Sequence, residues 1–287
     1  MTILVTGATG TNGLQVVKKS LEKGARVRAF VRERDSARKL LPAEVEIFEG
    51  DLARKDSVRT SMKEVERVFL LAAVHERMGE LEEGLIEVAR EAEVRHIVKF
   101  SAIGAHPGSK AFFARVHGRA EVALIESGLA YTILQPSFFM QNLFWSADAI
   151  KRDGLISNAA GGGEAAHVDA ADIAAVAAAA LTEPIDQHAG EIYLVTGPER
   201  LSYEAIASKF SDVLGRPIGH RSLSDAVYKE SMIKAGMPDW QAQAILELDV
   251  RCRRGEFSAA TDVVERIAKK RPVSSGEFLR EHVGIFQ

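Results

Sequence analysis

Three glycines near the start of the chain have the spacing of a phosphate-binding turn. Gly7, Gly10 and Gly13 directly follow a β-branched run, and an amphipathic helical pattern begins where the turn ends. A dinucleotide pyrophosphate needs exposed backbone N–H groups at a helix N-terminus and no side chains in its path. The pattern therefore predicts a dinucleotide site, with a tight turn that binds nothing as the alternative. The other turn residues expected to contact the cofactor are Thr9, Thr11 and Asn12.

The end of the second predicted strand bears on the choice of dinucleotide. NAD-binding proteins usually place an acidic residue there, about 20 residues past the turn, to bind the ribose hydroxyls. Here Arg32 and Arg34 flank Glu33, and a guanidinium suits bidentate contacts with a 2′-phosphate. The expected cofactor is therefore NADP(H). NAD(H) stays an alternative because Glu33 falls at the acidic position, and so does a solvated loop of mixed charge.

Short β-branched runs alternate with amphipathic helical stretches from residue 2 to residue 135. Such alternation is typical of an α/β protein of the Rossmann type, a doubly wound parallel sheet covered by helices. Helices are predicted at Gly13–Lys23 and Lys110–Ser127. The predicted strands are Thr2–Thr6, Arg26–Val31, Val45–Glu49, Arg67–Ala72, His96–Ser101 and Tyr131–Leu134.

The regular alternation stops after residue 135. An aromatic segment at Phe138–Trp145 precedes an alanine-rich helix at Asp169–Leu181, a last strand at Glu191–Val195 and a mainly helical remainder ending in Phe278–Val283. We expect residues 1–135 to form the dinucleotide-binding core. Residues 136–287 would complete the sheet and add a smaller, mainly helical substrate lobe, packed with the core as one structural unit.

Composition narrows the choice of partners and compartment. The chain has 37 Lys and Arg against 40 Asp and Glu, so it offers no general attraction for nucleic acid or acidic membranes. Cys252 is the one cysteine, which permits no intrachain disulfide and no clustered metal site. The N-terminus has no secretory pattern, and the longest apolar run, Ile173–Leu181, is far short of the ~20 residues of a membrane span. A cytoplasmic protein is expected; homodimer formation stays open.

Several motifs besides the glycine turn share one family pattern. They are Gly50-Asp51-Leu52, the segment Ser127–Leu134 before Pro136, Phe138–Leu143, Val168–Ala174 and Val195–Glu199. With them the whole chain resembles the NmrA-like branch of the atypical short-chain dehydrogenases/reductases. That branch includes NADPH-dependent quinone reductases and triphenylmethane-dye reductases. It also includes members thought to sense the cofactor without turning over a substrate.

The resemblance implies further cofactor contacts, running in chain order from the adenine through the middle of the dinucleotide to the nicotinamide. They are Asp51, Leu52, Leu71, Ala72, Ala73, Pro136, Ser137 and Phe138. For Asp51 a helix-capping role is the alternative. Gln135 departs from the pattern, since relatives often have Arg there.

Ordinary members of the superfamily use a Tyr-x-x-x-Lys pair, in which the tyrosine passes a proton. Four residues after the four tyrosines, Tyr131, Tyr193, Tyr203 and Tyr228, come Gln, Gly, Ala and Met, so the pair is absent. On the corresponding helix the spacing falls at Phe113 and His117. Ser101 and His117 are therefore the candidates for catalysis and for contact with the cofactor. A turn serine and a partly exposed helix histidine are the alternatives.

The missing pair favours acceptors whose reduction needs no positioned acid, such as quinones and cationic dyes. We expect an NADPH-dependent reductase that transfers hydride to a small apolar or aromatic acceptor. The alternatives are a non-catalytic NADP(H) sensor acting on a protein partner and a ketone or imine reductase with His117 or another group as the acid. Candidate pocket residues, of which the aromatic ones could also be core, are His75, Phe138, Phe139, Asn142, Phe144 and Trp240.

Overall fold

The computed structural model describes all 287 residues and contains eleven strands. They are β1 (Thr2–Val5), β2 (Arg26–Val31), β3 (Glu46–Glu49), β4 (Arg67–Leu70), β5 (His96–Phe100), β6 (Tyr131–Pro136), β7 (Leu155–Asn158), β8 (Glu164–Ala166), β9 (Glu191–Val195), β10 (Arg200–Ser202) and β11 (Gly219–Ser222). Seven of them form one sheet in the order β3-β2-β1-β4-β5-β6-β9, in which β1 to β6 pair in parallel. The expected doubly wound sheet of the Rossmann type is confirmed.

Twelve α-helices connect and cover these strands. They are α1 (Thr11–Glu22), α2 (Arg34–Arg38), α3 (Lys55–Ser61), α4 (Met78–Glu91), α5 (Phe112–Glu126), α6 (Ala147–Asp153), α7 (Ala170–Thr182), α8 (Tyr203–Leu214), α9 (Asp225–Lys234), α10 (Asp239–Arg253), α11 (Val263–Ala268) and α12 (Ser275–Glu281). Short 3₁₀ turns lie at Met140–Ser146, Ile185–Gln187 and Val283–Ile285. No helix is both long enough and apolar enough to cross a membrane.

The chain divides into two compact units. Unit 1 contains residues 1–136 and 170–194, so α7 joins it from beyond the first six strands. In unit 1, α7 packs against α1, and its many alanines let the two helix backbones approach closely. Helices α4 and α5 pack together, with Leu85, Val88 and Leu124 fully buried in the core beneath them.

Unit 2 contains residues 137–169 and 195–287. Two small sheets belong to it, an antiparallel pair of β8 with β10 and a parallel pair of β7 with β11. Its core includes Ile150, Phe210, Phe278 and Phe286, none of which exposes more than 1% of its surface. Several strand and helix ends differ from the predicted ones by one to three residues, since termini depend on contacts that a sequence pattern does not contain.

Candidate cofactor site and the buried groups behind it

The glycine turn lies where the strand order reverses, between β1 and β4, the position at which open α/β sheets bind ligands. Gly7 has φ +62°, and a Cβ on it would lie 2.9 Å from the carbonyl oxygen of Leu71. A Cβ on Gly13 would lie 2.0 Å from the carbonyl oxygen of Gly7, so only glycine lets α1 lie this close to the turn. On Gly10 the nearest atom would be 3.4 Å away, which leaves its outer side open.

The N-terminus of α1 provides donors for an anion. Its first-turn N–H groups have no partner within the helix and carry the positive end of the helix dipole. No acidic residue stands in that first turn. Asn12, at its second position, has a buried side-chain oxygen without a hydrogen-bond partner. The open face of Gly10 and the free N–H groups together fit a dinucleotide pyrophosphate. The unpartnered oxygen of Asn12 can only accept a hydrogen bond, so it would need a donor and not a phosphate oxygen.

A cavity of about 510 Å³ opens beside the carboxyl ends of β2 and β3. Its lining includes Arg32 and Arg54, both exposed and neither engaged in an ion pair or side-chain hydrogen bond. The remaining lining residues are Phe48, Glu49, Gly50, Asp51, Asp56, Ser57 and Thr60. Arg54 was missed by the sequence analysis, because it follows the third strand and no spacing relates it to Arg32.

The neighbouring residues of this region have local partners. Arg34 is absent from the cavity lining, and its backbone N–H donates to the Glu49 carboxylate. The Arg38 guanidinium donates to carbonyl groups of the loop before β3. Asp51 accepts a hydrogen bond from the Ala53 N–H at 2.9 Å, which is a local turn rather than a helix cap. Leu52 is half-buried beside the core.

The end of β4 is fixed by two polar side chains. The Thr6 hydroxyl bonds both the carbonyl oxygen and the N–H of Leu71, at 3.0 and 2.9 Å. The Glu82 carboxylate accepts the N–H of Ala72 at 3.2 Å. These contacts draw the chain out of the sheet after Leu70, which is why the strand stops short of the predicted Ala72. Ala73 follows in an exposed position.

Behind this segment lies a buried ion pair. Lys99 and Glu82 are both completely buried, and the Lys99 ammonium lies 2.7 Å from the Glu82 carboxylate. Lys99 also donates to the carbonyl oxygen of Phe100 at 2.6 Å and lies 3.2 Å from Nδ1 of His117. An ammonium can only donate, so this ring nitrogen accepts and the imidazole is neutral. Burial and the Lys99 charge lower the pKa of His117 well below its ordinary value.

Ser101 lies just beyond the carboxyl end of β5 and is 1% exposed. Its hydroxyl is hydrogen-bonded to the Glu121 carboxyl, which also accepts from the Gln135 side-chain amide at 2.9 Å. Glu121 is 7% exposed, and burial raises its pKa despite these hydrogen bonds and the charge of Lys99. Ser101 and His117 are thus each tied to a buried charged or titratable partner, and both partners were missed.

A signal for those partners is present in the sequence. Lys99 interrupts an otherwise apolar strand, and a lysine in such a place needs an acidic partner. Glu121 follows His117 by four residues, so both lie on the same face of α5. The sequence does not indicate that Glu82 is the acidic partner of Lys99, because α4 contains several glutamates at similar spacing.

The candidate pocket residues are divided between the two units. In unit 2, the Phe138 ring stacks on His167 at 5.7 Å and packs against Phe257 at 4.5 Å. The Phe144 ring stacks on Phe278 at 5.5 Å, within the core of that unit. Of the other candidate site residues in unit 2, Phe139, Asn142 and Trp240 are half-buried, whereas Ser137 is buried with an unpartnered hydroxyl.

Pro136 and His75 belong to unit 1. Pro136 ends β6, and its carbonyl oxygen accepts the N–H of Ile103 at 3.2 Å. His75 is exposed, and its Nδ1 accepts the N–H of Arg77. His106 accepts from Gly108 in the same way. No group of three or more His, Cys, Asp or Glu side chains could hold a metal ion.

Residues 7–184 match the model of an NAD(P)H-binding family. The chain belongs to this family. It is 34% identical over 284 residues to an NAD(P)H azoreductase of Xenophilus azovorans, with 99% of both chains covered. The similarity to this relative therefore extends beyond the residues that the family model matches, over 99% of the chain.

Two solved structures of the family's fold are closely similar to the chain. An NADPH-dependent quinone oxidoreductase from Escherichia coli, complexed with NADPH, aligns with a TM-score of 0.89 at 24% identity, over 98% of this chain and 99% of that one. A Citrobacter sp. triphenylmethane reductase complexed with NADP(H) aligns with a TM-score of 0.87 at 24% identity, over 97% and 99%. The matches confirm the resemblance to NmrA-like reductases and the assignment of an NAD(P)H cofactor.

Proposed function

We propose that this protein is an NADPH-dependent reductase that transfers hydride to an electron-poor aromatic acceptor, such as an azo compound, a quinone or a cationic dye. The observation that carries the proposal is full-length similarity to an NAD(P)H azoreductase at 34% identity, in a chain whose glycine turn fits a pyrophosphate. Hydride donation from the nicotinamide ring is the chemistry that the cofactor supplies when it is bound.

The residues of the chain bind and orient the two reactants. Backbone N–H groups at the start of α1 hold the pyrophosphate, beside the open face of Gly10. Arg32 and Arg54 bind the 2′-phosphate that distinguishes NADPH from NADH. The Thr6 and Glu82 contacts keep the backbone at Leu71 and Ala72 rigid along the middle of the cofactor. Phe138, Phe139 and Asn142 are the side chains we assign to the acceptor pocket.

The test measures loss of NADPH absorbance with azo dyes, quinones and triphenylmethane dyes, together with calorimetric titration of NADPH and NADH. We expect turnover with at least one of these classes and tighter binding of NADPH. Gly10→Val should abolish both, because its side chain would occupy the pyrophosphate space without meeting protein atoms closer than an ordinary contact. Tight NADPH binding without turnover of any acceptor would contradict the reductase and favour a cofactor sensor.

A further inference from the structure

Two buried carboxyls and one buried ammonium meet behind the carboxyl end of β5. Glu82 comes from α4, Lys99 from β5 and Glu121 from α5, and each is less than a tenth exposed. His117 is neutral, because its Nδ1 faces the Lys99 ammonium. With both carboxyls ionised the cluster would hold a net charge of one negative unit away from water, an arrangement that proteins avoid. One bound proton would leave the cluster neutral.

The contacts indicate which carboxyl holds that proton. Burial raises the pKa of Glu82 and of Glu121 alike. The Lys99 ammonium lies 2.7 Å from the Glu82 carboxylate and opposes the increase in the pKa of Glu82. Glu121 accepts hydrogen bonds only from neutral groups, the Ser101 hydroxyl and the Gln135 amide. The charge of Lys99 lowers the pKa of Glu121 without a direct hydrogen bond between the two side chains. Glu121 is thus the carboxyl of the two that has no direct ionic partner.

Gln135 is the residue that leaves Glu121 in this state. It lies on β6 and donates its neutral side-chain amide to the Glu121 carboxyl at 2.9 Å. A guanidinium there would pair with the carboxyl and keep it ionised. The charged group that acts on Glu121 is Lys99 of β5, which itself contacts Glu82 of α4 and His117 of α5.

We propose that Glu121 is the proton store of this enzyme and acts through the hydroxyl of Ser101, in place of the missing Tyr-x-x-x-Lys pair. The inference rests on the proposed reductase function. It supplies the proton that azo reduction requires besides the hydride, and it extends the acceptors to carbonyl and imine groups, which need a proton in the same way. Ser101 is the catalytic residue, at the strand edge where ligands of open α/β sheets bind. Glu121 and Gln135 are positioning residues.

One nitrogen of an azo group receives the hydride from NADPH, which becomes NADP⁺, and the N=N π electrons move to the other nitrogen. That nitrogen takes the proton of the Ser101 hydroxyl, so a second N–H bond forms as the Ser101 O–H bond breaks. The Glu121 carboxyl reprotonates Ser101 and becomes a carboxylate. Water returns a proton to Glu121 before the next turnover, and the product is the hydrazine.

The experiment compares the wild type with Glu121→Gln and Gln135→Arg at several pH values, with an azo dye and a quinone as acceptors. Because quinone reduction needs no positioned acid, we expect its rate to change by less than about 3-fold. Azo reduction should fall by about 10²-fold in Glu121→Gln, the usual effect of losing a general acid. In Gln135→Arg the loss of azo reduction with rising pH should begin at a lower pH.

Equal losses for both acceptors, or a wild-type azo profile with the same pH dependence as the quinone profile, would overturn the proposal. Infrared spectroscopy tests the protonation of Glu121 directly, so it decides the question even if the variants fold poorly or the wild type has no activity. The infrared spectrum of wild-type protein should contain a neutral buried carboxyl band at neutral pH that disappears at higher pH and is absent from Glu121→Gln. Failure to find that band refutes the proton store, whereas a band without turnover refutes the reductase alone.

Discussion

Two arginines from different loops line the cavity beside β2 and β3, and neither has an acidic partner. Charge-assisted hydrogen bonds contribute about 1.5–3 kcal/mol each, and every 1.4 kcal/mol corresponds to about tenfold in affinity. We therefore expect Arg32→Ala and Arg54→Ala each to weaken NADPH binding by about tenfold or more and to leave NADH binding nearly unchanged. Calorimetric titration of both cofactors measures this.

Arg34→Ala is the matched control, since Arg34 begins α2 only two residues after Arg32 but does not line the cavity. It should change NADPH affinity less than either of the other two variants. Equal losses of NADPH and NADH affinity in Arg32→Ala would show that this side chain does not bind the 2′-phosphate.

Asp249 of unit 2 gives a second prediction for a single residue. It is 4% exposed, and burial raises its pKa to about 6, although the Ala159 N–H and Arg253 partly oppose the shift. The folded protein thus binds this proton more tightly than the unfolded chain does. The raised pKa of Asp249 stabilises the folded protein by about 3 kcal/mol below pH ~4. This stabilisation is lost as the pH rises through about 6.

Asp249→Asn should remove that part of the pH dependence, because an amide does not titrate. The variant should still fold, since its amide oxygen can accept the Ala159 N–H. Urea unfolding between pH 4 and 7 measures the difference. The exposed Asp212→Asn serves as control and should follow the wild type. An unchanged slope in Asp249→Asn would mean that another group titrates over this range.

Helix α4 and strand β5 are joined by the ion pair of Glu82 and Lys99. Lys99→Met leaves a buried carboxylate without its partner, and we expect it to lower the free energy of unfolding by about 3–5 kcal/mol. Adding Glu82→Gln should restore much of this loss, since the amide can still accept the Ala72 N–H. A double-mutant cycle in urea measures the coupling.

Lys55→Met is the control for that cycle. Its ammonium lies 2.6 Å from Glu87 in an exposed pair between α3 and α4, and solvent screens such pairs so that they contribute little to stability. Additive effects of the Lys99 and Glu82 changes would show that the buried pair is not coupled.

The order of strands and helices was predictable because local periodicity determines it. The predicted strand Arg26–Val31 agrees with β2 at both ends, and Glu191–Val195 agrees with β9. The end of β4 was not predictable, because it depends on Thr6 and Glu82, which are distant from it in sequence. The same holds for the candidate site. Its glycine turn is a local motif, whereas Arg54, Glu82 and Glu121 reach it only through tertiary contacts.

At the level of the whole molecule, cofactor binding should raise the stability of the fold. A ligand at a concentration one hundred times its dissociation constant stabilises the native state by about 2.7 kcal/mol. We expect NADPH at that excess to raise the Tm of the wild type by several degrees. Differential scanning calorimetry should show no shift for Gly10→Val, whose unliganded Tm should match the wild type. A shift that persists in this variant would place the binding site elsewhere.

Unit 1 is built from two separate stretches of the chain, residues 1–136 and 170–194. While the protein is being synthesised, the ribosome releases β6 well before β9, the strand that pairs with its outer edge. The surface of α1 against which α7 packs is likewise uncovered until α7 has been translated. The nascent chain therefore carries an open strand edge and an apolar helix face for more than 50 residues of elongation, the interval in which a chaperone would bind it most readily.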